Sequence, residues 1–183
     1  MSKSSECGNF KWVDFIYGYE DDNHESKGYW TYIGKNKSVK IPQKINGSTI
    51  SNAYRMFMSS DVEKVSSKEG LISVSQMFAL SKSKELDLTE MDMGEVKDTS
   101  AMFLSSQATK INLSGADFTK CTNMKDMFSY QRLEELNLSN VSLPEKKSLL
   151  RMFKNVNIFK TIGLSRDILK NSVAENSYIK ITE

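Results

Sequence analysis

The side chains of this chain that could do chemistry fall in rows rather than in a catalytic set. One row reads Lys64, Glu85, Lys110, Glu135, Thr161, with charges that alternate in sign. A second reads Ser66, Asp87, Asn112, Asn137, Gly163, and a third Lys68, Thr89, Ser114, Ser139, Ser165. Short hydrogen-bonding groups in rows suit contact with a protein surface or backbone. The bland alternatives are that opposite charges brace neighbouring strands and that the small polar groups solvate a sheet. The single histidine, His24, lies beside Asp21, Asp22 and Glu25. Carboxylates and an imidazole can hold a divalent metal, but without a known ligand spacing a solvated acidic turn is the expectation. No Ser-His or Cys-His arrangement and no glycine-rich phosphate loop stands out, so the chain reads as a non-enzyme with no cofactor and no metal.

Something must set those rows in register, and the sequence says what. Met-Phe recurs at Met56-Phe57, Met77-Phe78, Met102-Phe103, Met127-Phe128 and Met152-Phe153, at spacings of 21, 25, 25 and 25 residues. A fixed period in that range means a solenoid, each repeat burying its apolar face against its neighbours. Nine residues after a Met comes an apolar-x-apolar triplet: Leu86-Asp87-Leu88, Ile111-Asn112-Leu113, Leu136-Asn137-Leu138, and one residue late Ile162-Gly163-Leu164. Val65 occupies that column in the first repeat. Alternation of this kind predicts a short strand with one buried face. Val74, Met77 and Phe78 then sit at i, i+3 and i+4, as do Met124, Met127, Phe128 and Leu149, Met152, Phe153, which predicts a short helix behind each strand. The expected fold is thus an α/β solenoid of about five repeats, with parallel strands on one face and short helices on the other.

Three regions follow. Residues 1–50 read as a β-rich N-terminal cap, residues 51–165 as the repeats, and residues 166–183 as a C-terminal cap with a short helix around Asp167–Asn171 and a strand at Tyr178–Ile181. In the first cap, Tyr29 to Ile33 and Val39 to Pro42 look like strands, and Asn46-Gly47 signals a tight turn. Trp12, Tyr17, Tyr19 and Trp30 are either cap core or a secondary protein-binding patch, since aromatics dominate interface hot spots.

Composition narrows the partners. The 183 residues carry 25 Lys and Arg against 23 Asp and Glu, a net charge of +2 that argues against a dedicated nucleic-acid surface. Cys7 and Cys121 cannot make a disulfide framework and read as free thiols. No stretch is long and apolar enough to span a bilayer, and the polar N-terminus has no signal-peptide core. Cytoplasmic residence is therefore expected, or the cell surface if the sequence has been trimmed.

The units Glu85-Leu86-Asp87-Leu88, Gln107 to Ser114, and Thr122-Asn123-Met124-Lys125-Asp126-Met127-Phe128 resemble the BspA-type leucine-rich repeats of bacteria, above all the DUF285 subgroup; the lead-in Ile41-Pro42-Gln43-Lys44-Ile45-Asn46-Gly47 is similar to the segment that opens such arrays. The resemblance implies a short right-handed leucine-rich-repeat array used for protein recognition, with no catalytic residues. Its concave sheet would bind through Glu85, Asp87, Thr89, Lys110, Asn112, Ser114, Glu135, Asn137 and Ser139. The expected function is a monomeric protein-binding module, an intracellular bacterial or phage-encoded inhibitor or immunity protein that occludes a partner such as a defence nuclease. The alternative is a fragment of a surface adhesin or lipoprotein.

Overall fold

A computed structural model describes residues 6–14, 28–68, 70–149, 151–172 and 176–182. Tyr17, Tyr19 and His24 lie outside the described residues. The chain enters through an antiparallel sheet of β1 (Glu6–Cys7), β2 (Phe10–Asp14) and β3 (Gly28–Tyr32). Next come β4 (Ser38–Lys40) and a hairpin of β5 (Lys44–Ile45) and β6 (Ser48–Thr49). Asn46 and Gly47 turn that hairpin with φ of 50° and 78°, the two left-handed residues of a type I′ turn.

The solenoid sheet is parallel throughout. Its strands are β7 (Lys64–Ser66), β8 (Glu85–Glu90), β9 (Lys110–Asn112), β10 (Arg132–Leu133), β11 (Glu135–Asn137), β12 (Asn157–Ile162) and β13 (Tyr178–Ile181), with β4 pairing β7 at its start. β10 and β11 pair successive parts of β12, whose other side pairs β13. Inward side chains such as Val65, Leu86, Ile111, Leu136 and Ile158 are buried.

The opposite wall is where the expectation of helices fails. Residues 75–80, 100–105 and 125–130 are runs of turns, and the helix among the described residues is confined to α1 (Arg166–Ser172) and one 3-10 turn at Lys146–Leu149. Gln76, Leu80, Ala101, Ser105, Asp126 and Tyr130 all have φ between 52° and 60°, a left-handed residue at every fourth place. Within a coil the amides bond three residues back, Met77 N to Val74 O (3.2 Å) and Ala79 N to Gln76 O (3.0 Å). Between coils they bond the next turn, Phe78 N to Met102 O (2.8 Å) and Phe103 N to Met127 O (3.0 Å). An α-helix would hold those amides within its own coil. The architecture is therefore a parallel β-solenoid with little helix, not an α/β leucine-rich-repeat array. Val74, Met77 and Phe78 are buried as their spacing predicts, because tight turns and a helix both put them on one side.

Inside, Phe57, Phe78, Phe103, Phe128 and Phe153 form a stack with centroids 5.3–5.8 Å apart and planes within 15° of parallel. Buried polar groups at a corner are paired: Ser83 Oγ donates to Val62 O, Ser106 Oγ to Gln131 Oε1, and Gln131 Nε2 to Phe103 O.

Register departs from the sequence columns at both ends. Lys64 lies beside Asp87 and Ser66 beside Glu90, so Val65 does not stand beside Leu86 as the columns would place it. The first interval is four residues short, and the chain absorbs the difference in the register shift between β7 and β8. At the last coil Thr161, not Ile162, continues the buried column beside Leu136. Its hydroxyl is satisfied by Lys180 O at 3.0 Å. Gly163 turns with φ of 76° where a Cβ would lie 2.6 Å from the Leu138 backbone.

Candidate functional site

Alternation along each strand sends the residues between the buried ones outward, onto one face of the long sheet. There Glu85, Lys110, Glu135 and Lys160 stand side by side across β8, β9, β11 and β12. The expected fifth member, Thr161, points inward, and Lys160 takes its place. Lys110 Nζ lies 2.8 Å from Glu85, and Lys160 pairs with Glu135. Lys64 reaches Glu90 at 2.7 Å and Asp87 at 3.9 Å. Hydrogen bonding to Glu90 raises the pKa of Lys64, and hydrogen bonding to Glu85 raises that of Lys110.

The small polar residues turn corners. Asp87 Oδ1 accepts the Thr89 amide at 3.1 Å and its hydroxyl at 2.8 Å. Asn112 Oδ1 accepts the Ser114 amide at 3.1 Å. Asn137 Oδ1 accepts the Ser139 amide at 3.0 Å and its hydroxyl at 2.6 Å. Each is an Asx turn in which a side chain takes over a backbone acceptor's role, within β8 at Asp87 and at the ends of β9 and β11 at Asn112 and Asn137. Register sets Glu85, Lys110 and Glu135 in one row of the strand face and Asp87, Asn112 and Asn137 in another, while Thr89, Ser114 and Ser139 follow two residues on as the partners in those turns. A recess of about 380 Å³ gathers Glu85, Asp87, Lys110, Asn112 and Glu135. Much of their hydrogen-bonding capacity is already spent within the fold.

The far end of that face carries residues the sequence reading missed. In register, Arg132, Asn157 and Tyr178 align across β10, β12 and β13. Phe159 projects outward two places along β12, its ring 6.1 Å from Tyr178 and 5.8 Å from the Arg132 guanidinium. Phe159 and Tyr178 are 46% and 55% exposed. The missed signal is an aromatic between Ile158 and the buried Thr161, where the other repeats carry a polar residue.

Trp12 and Trp30 sit elsewhere, half-buried against each other across β2 and β3. They border a second cleft that shares no residue with the strand-face recess. Cys7 and Cys121 are both free thiols, and burial pushes the Cys121 pKa up. Among the described residues, no group of three or more His, Cys, Asp or Glu is placed to hold a metal, and no helix is long and apolar enough to cross a membrane.

No curated protein and no solved structure matches the chain. The family described as Mycoplasma protein of unknown function, DUF285, matches residues 72–173, which take in four of the five Met-Phe pairs and strands β8 to β12. A match over more than half of its 183 residues places this solenoid in the DUF285 family, to which the chain belongs.

Proposed function

We propose that this protein is a non-enzymatic binding module that docks a partner protein on the outer face of its long sheet and acts by occupying that partner's surface. The observation that carries this reading is the Phe159, Tyr178 and Arg132 cluster, exposed at the end of the charged rows. Aromatic and arginine side chains dominate the binding energy of protein interfaces, and charged rows beside them fix register and orientation. The charged rows alone span only a few hundred Å², against roughly 800 Å² per partner in a standard interface. The aromatic end extends that area. Backbone ladders on both walls of each coil hold the face rigid, so docking orders little of it. An inhibitor or immunity factor of bacterial or phage origin is the form of this reading that asks for no chemistry of the chain's own.

Pull-down from a bacterial lysate with mass spectrometry tests it, run beside an Arg132→Glu/Phe159→Ser variant and an Asp87→Arg/Asn137→Arg variant. The expected result is a protein held by the wild type and lost by the first variant. A partner held equally by all three chains, or none at all, overturns the reading.

A further inference from the structure

The cleft beside the cap is made of different chemistry from the strand face. Register sets Trp12 opposite Trp30, their rings edge to face at 5.4 Å and 70°. Gly28 permits this: a Cβ there would lie 2.3 Å from Val13 O and 2.9 Å from the Trp12 ring, so the indole lies close against bare backbone. Tyr29 is held at 90° to Tyr54, with centroids 5.4 Å apart. The cleft's other residues come from the β5–β6 hairpin and the stretch after it, including Asn46, Thr49 and Asn52. Asn52 commits its Oδ1 to the Tyr54 amide at 2.8 Å and keeps a two-donor amide nitrogen. The cleft holds about 270 Å³, and among the described residues no charged side chain lines it.

We infer that this cleft binds a neutral saccharide. The negative face of an aromatic ring attracts polarised C–H groups, which a pyranose presents on one side of its ring. Its hydroxyls both donate and accept, as amide and hydroxyl side chains require. A charged ligand would find no countercharge among the described lining residues, and desolvating it unpaired is costly. A wholly apolar ligand would strip water from Asn46, Thr49 and Asn52 and return no hydrogen bond. The volume lies just under the roughly 300–1,000 Å³ of pockets that enclose a drug-sized molecule, which suits one or two sugar rings. This assignment stands apart from partner docking on the strand face, and neither depends on the other.

The chain supplies its own reporter, because Trp12 and Trp30 are its two tryptophans and both line the cleft. The test is titration of intrinsic fluorescence with maltotetraose, cellotetraose and tetra-N-acetylchitotetraose up to roughly 10 mM. The expected result is a saturable emission change with one or more of these, weakened about tenfold or more in Trp12→Phe and in Thr49→Val, and unchanged in Phe159→Ser. Thr49 is exposed and outside the core, so its variant reads the site even if Trp12→Phe lowers the melting temperature. No emission change with any of the three sugars overturns the inference, and so does binding that Thr49→Val leaves intact.

Discussion

At the scale of single residues, the phenylalanine stack holds the coils together. Phe103 is fully buried and stacks on Phe78 at 5.8 Å and on Phe128 at 5.3 Å. Truncating it leaves a cavity and removes two ring pairs, so Phe103→Ala is expected to cost about 3–5 kcal/mol. Phe159→Ala, at an exposed ring, is expected to change stability by no more than about 0.5 kcal/mol. Urea unfolding of the two variants checks the contrast. Equal midpoints would remove Phe103 from the core. Phe103 belongs to the repeating Met-Phe column, whereas Phe159 lies outside that column on β12, where strand register turns it to solvent.

At the scale of elements, the turn wall makes a prediction whose sign separates two backbones. Ala101 has φ of 52°, where a Cβ crowds the following carbonyl. Glycine carries no such penalty, so Ala101→Gly is expected to stabilise the protein by up to about 1 kcal/mol, and Ala101→Val to destabilise it by more than that. Were residues 100–105 a helix, Ala101→Gly would instead cost about 1 kcal/mol. Thermal melts of the two variants decide it. The i, i+3, i+4 spacing of Val74, Met77 and Phe78 reports which side chains point inward. It is silent on whether each amide bonds its own coil or the next one, because that choice depends on a neighbour 25 residues away.

At the scale of the whole molecule, ion pairs between coils set the pH range over which the stack is strongest. The hydrogen bond from Lys37 lowers the Asp61 pKa, and the backbone bond from Thr119 lowers that of Asp117. Stability from these carboxylates is present above the ordinary aspartate pKa of about 3.9 and is lost as pH falls through the lower folded values. Lys64 and Lys110 are raised, so their contribution is full below the ordinary lysine pKa of about 10.4 and is lost as pH rises through the higher folded values. The expected melting temperature is flat between these limits and falls outside them, with shallower edges in high salt because every one of these groups faces solvent. A melting temperature that drops steeply between about pH 5 and 8 would assign pH sensitivity to other groups.

The solenoid, the buried columns and the strand face were legible in the sequence, because period and alternation are local properties that neighbouring coils repeat. The Asn46-Gly47 hairpin was legible too, since left-handed φ at two successive residues demands those types. Tertiary structure alone decided the turn wall, whose hydrogen bonds run between coils rather than along the chain. It alone decided the slips that put Lys64 beside Asp87 and turned Thr161 inward, because register is a relation between strands and a one-residue shift reverses every side chain. It alone gathered Arg132, Phe159 and Tyr178, which come from three separate strands, and set Trp12 over Gly28 to wall a cleft. Those contacts join residues distant along the chain, and no local pattern encodes such a meeting.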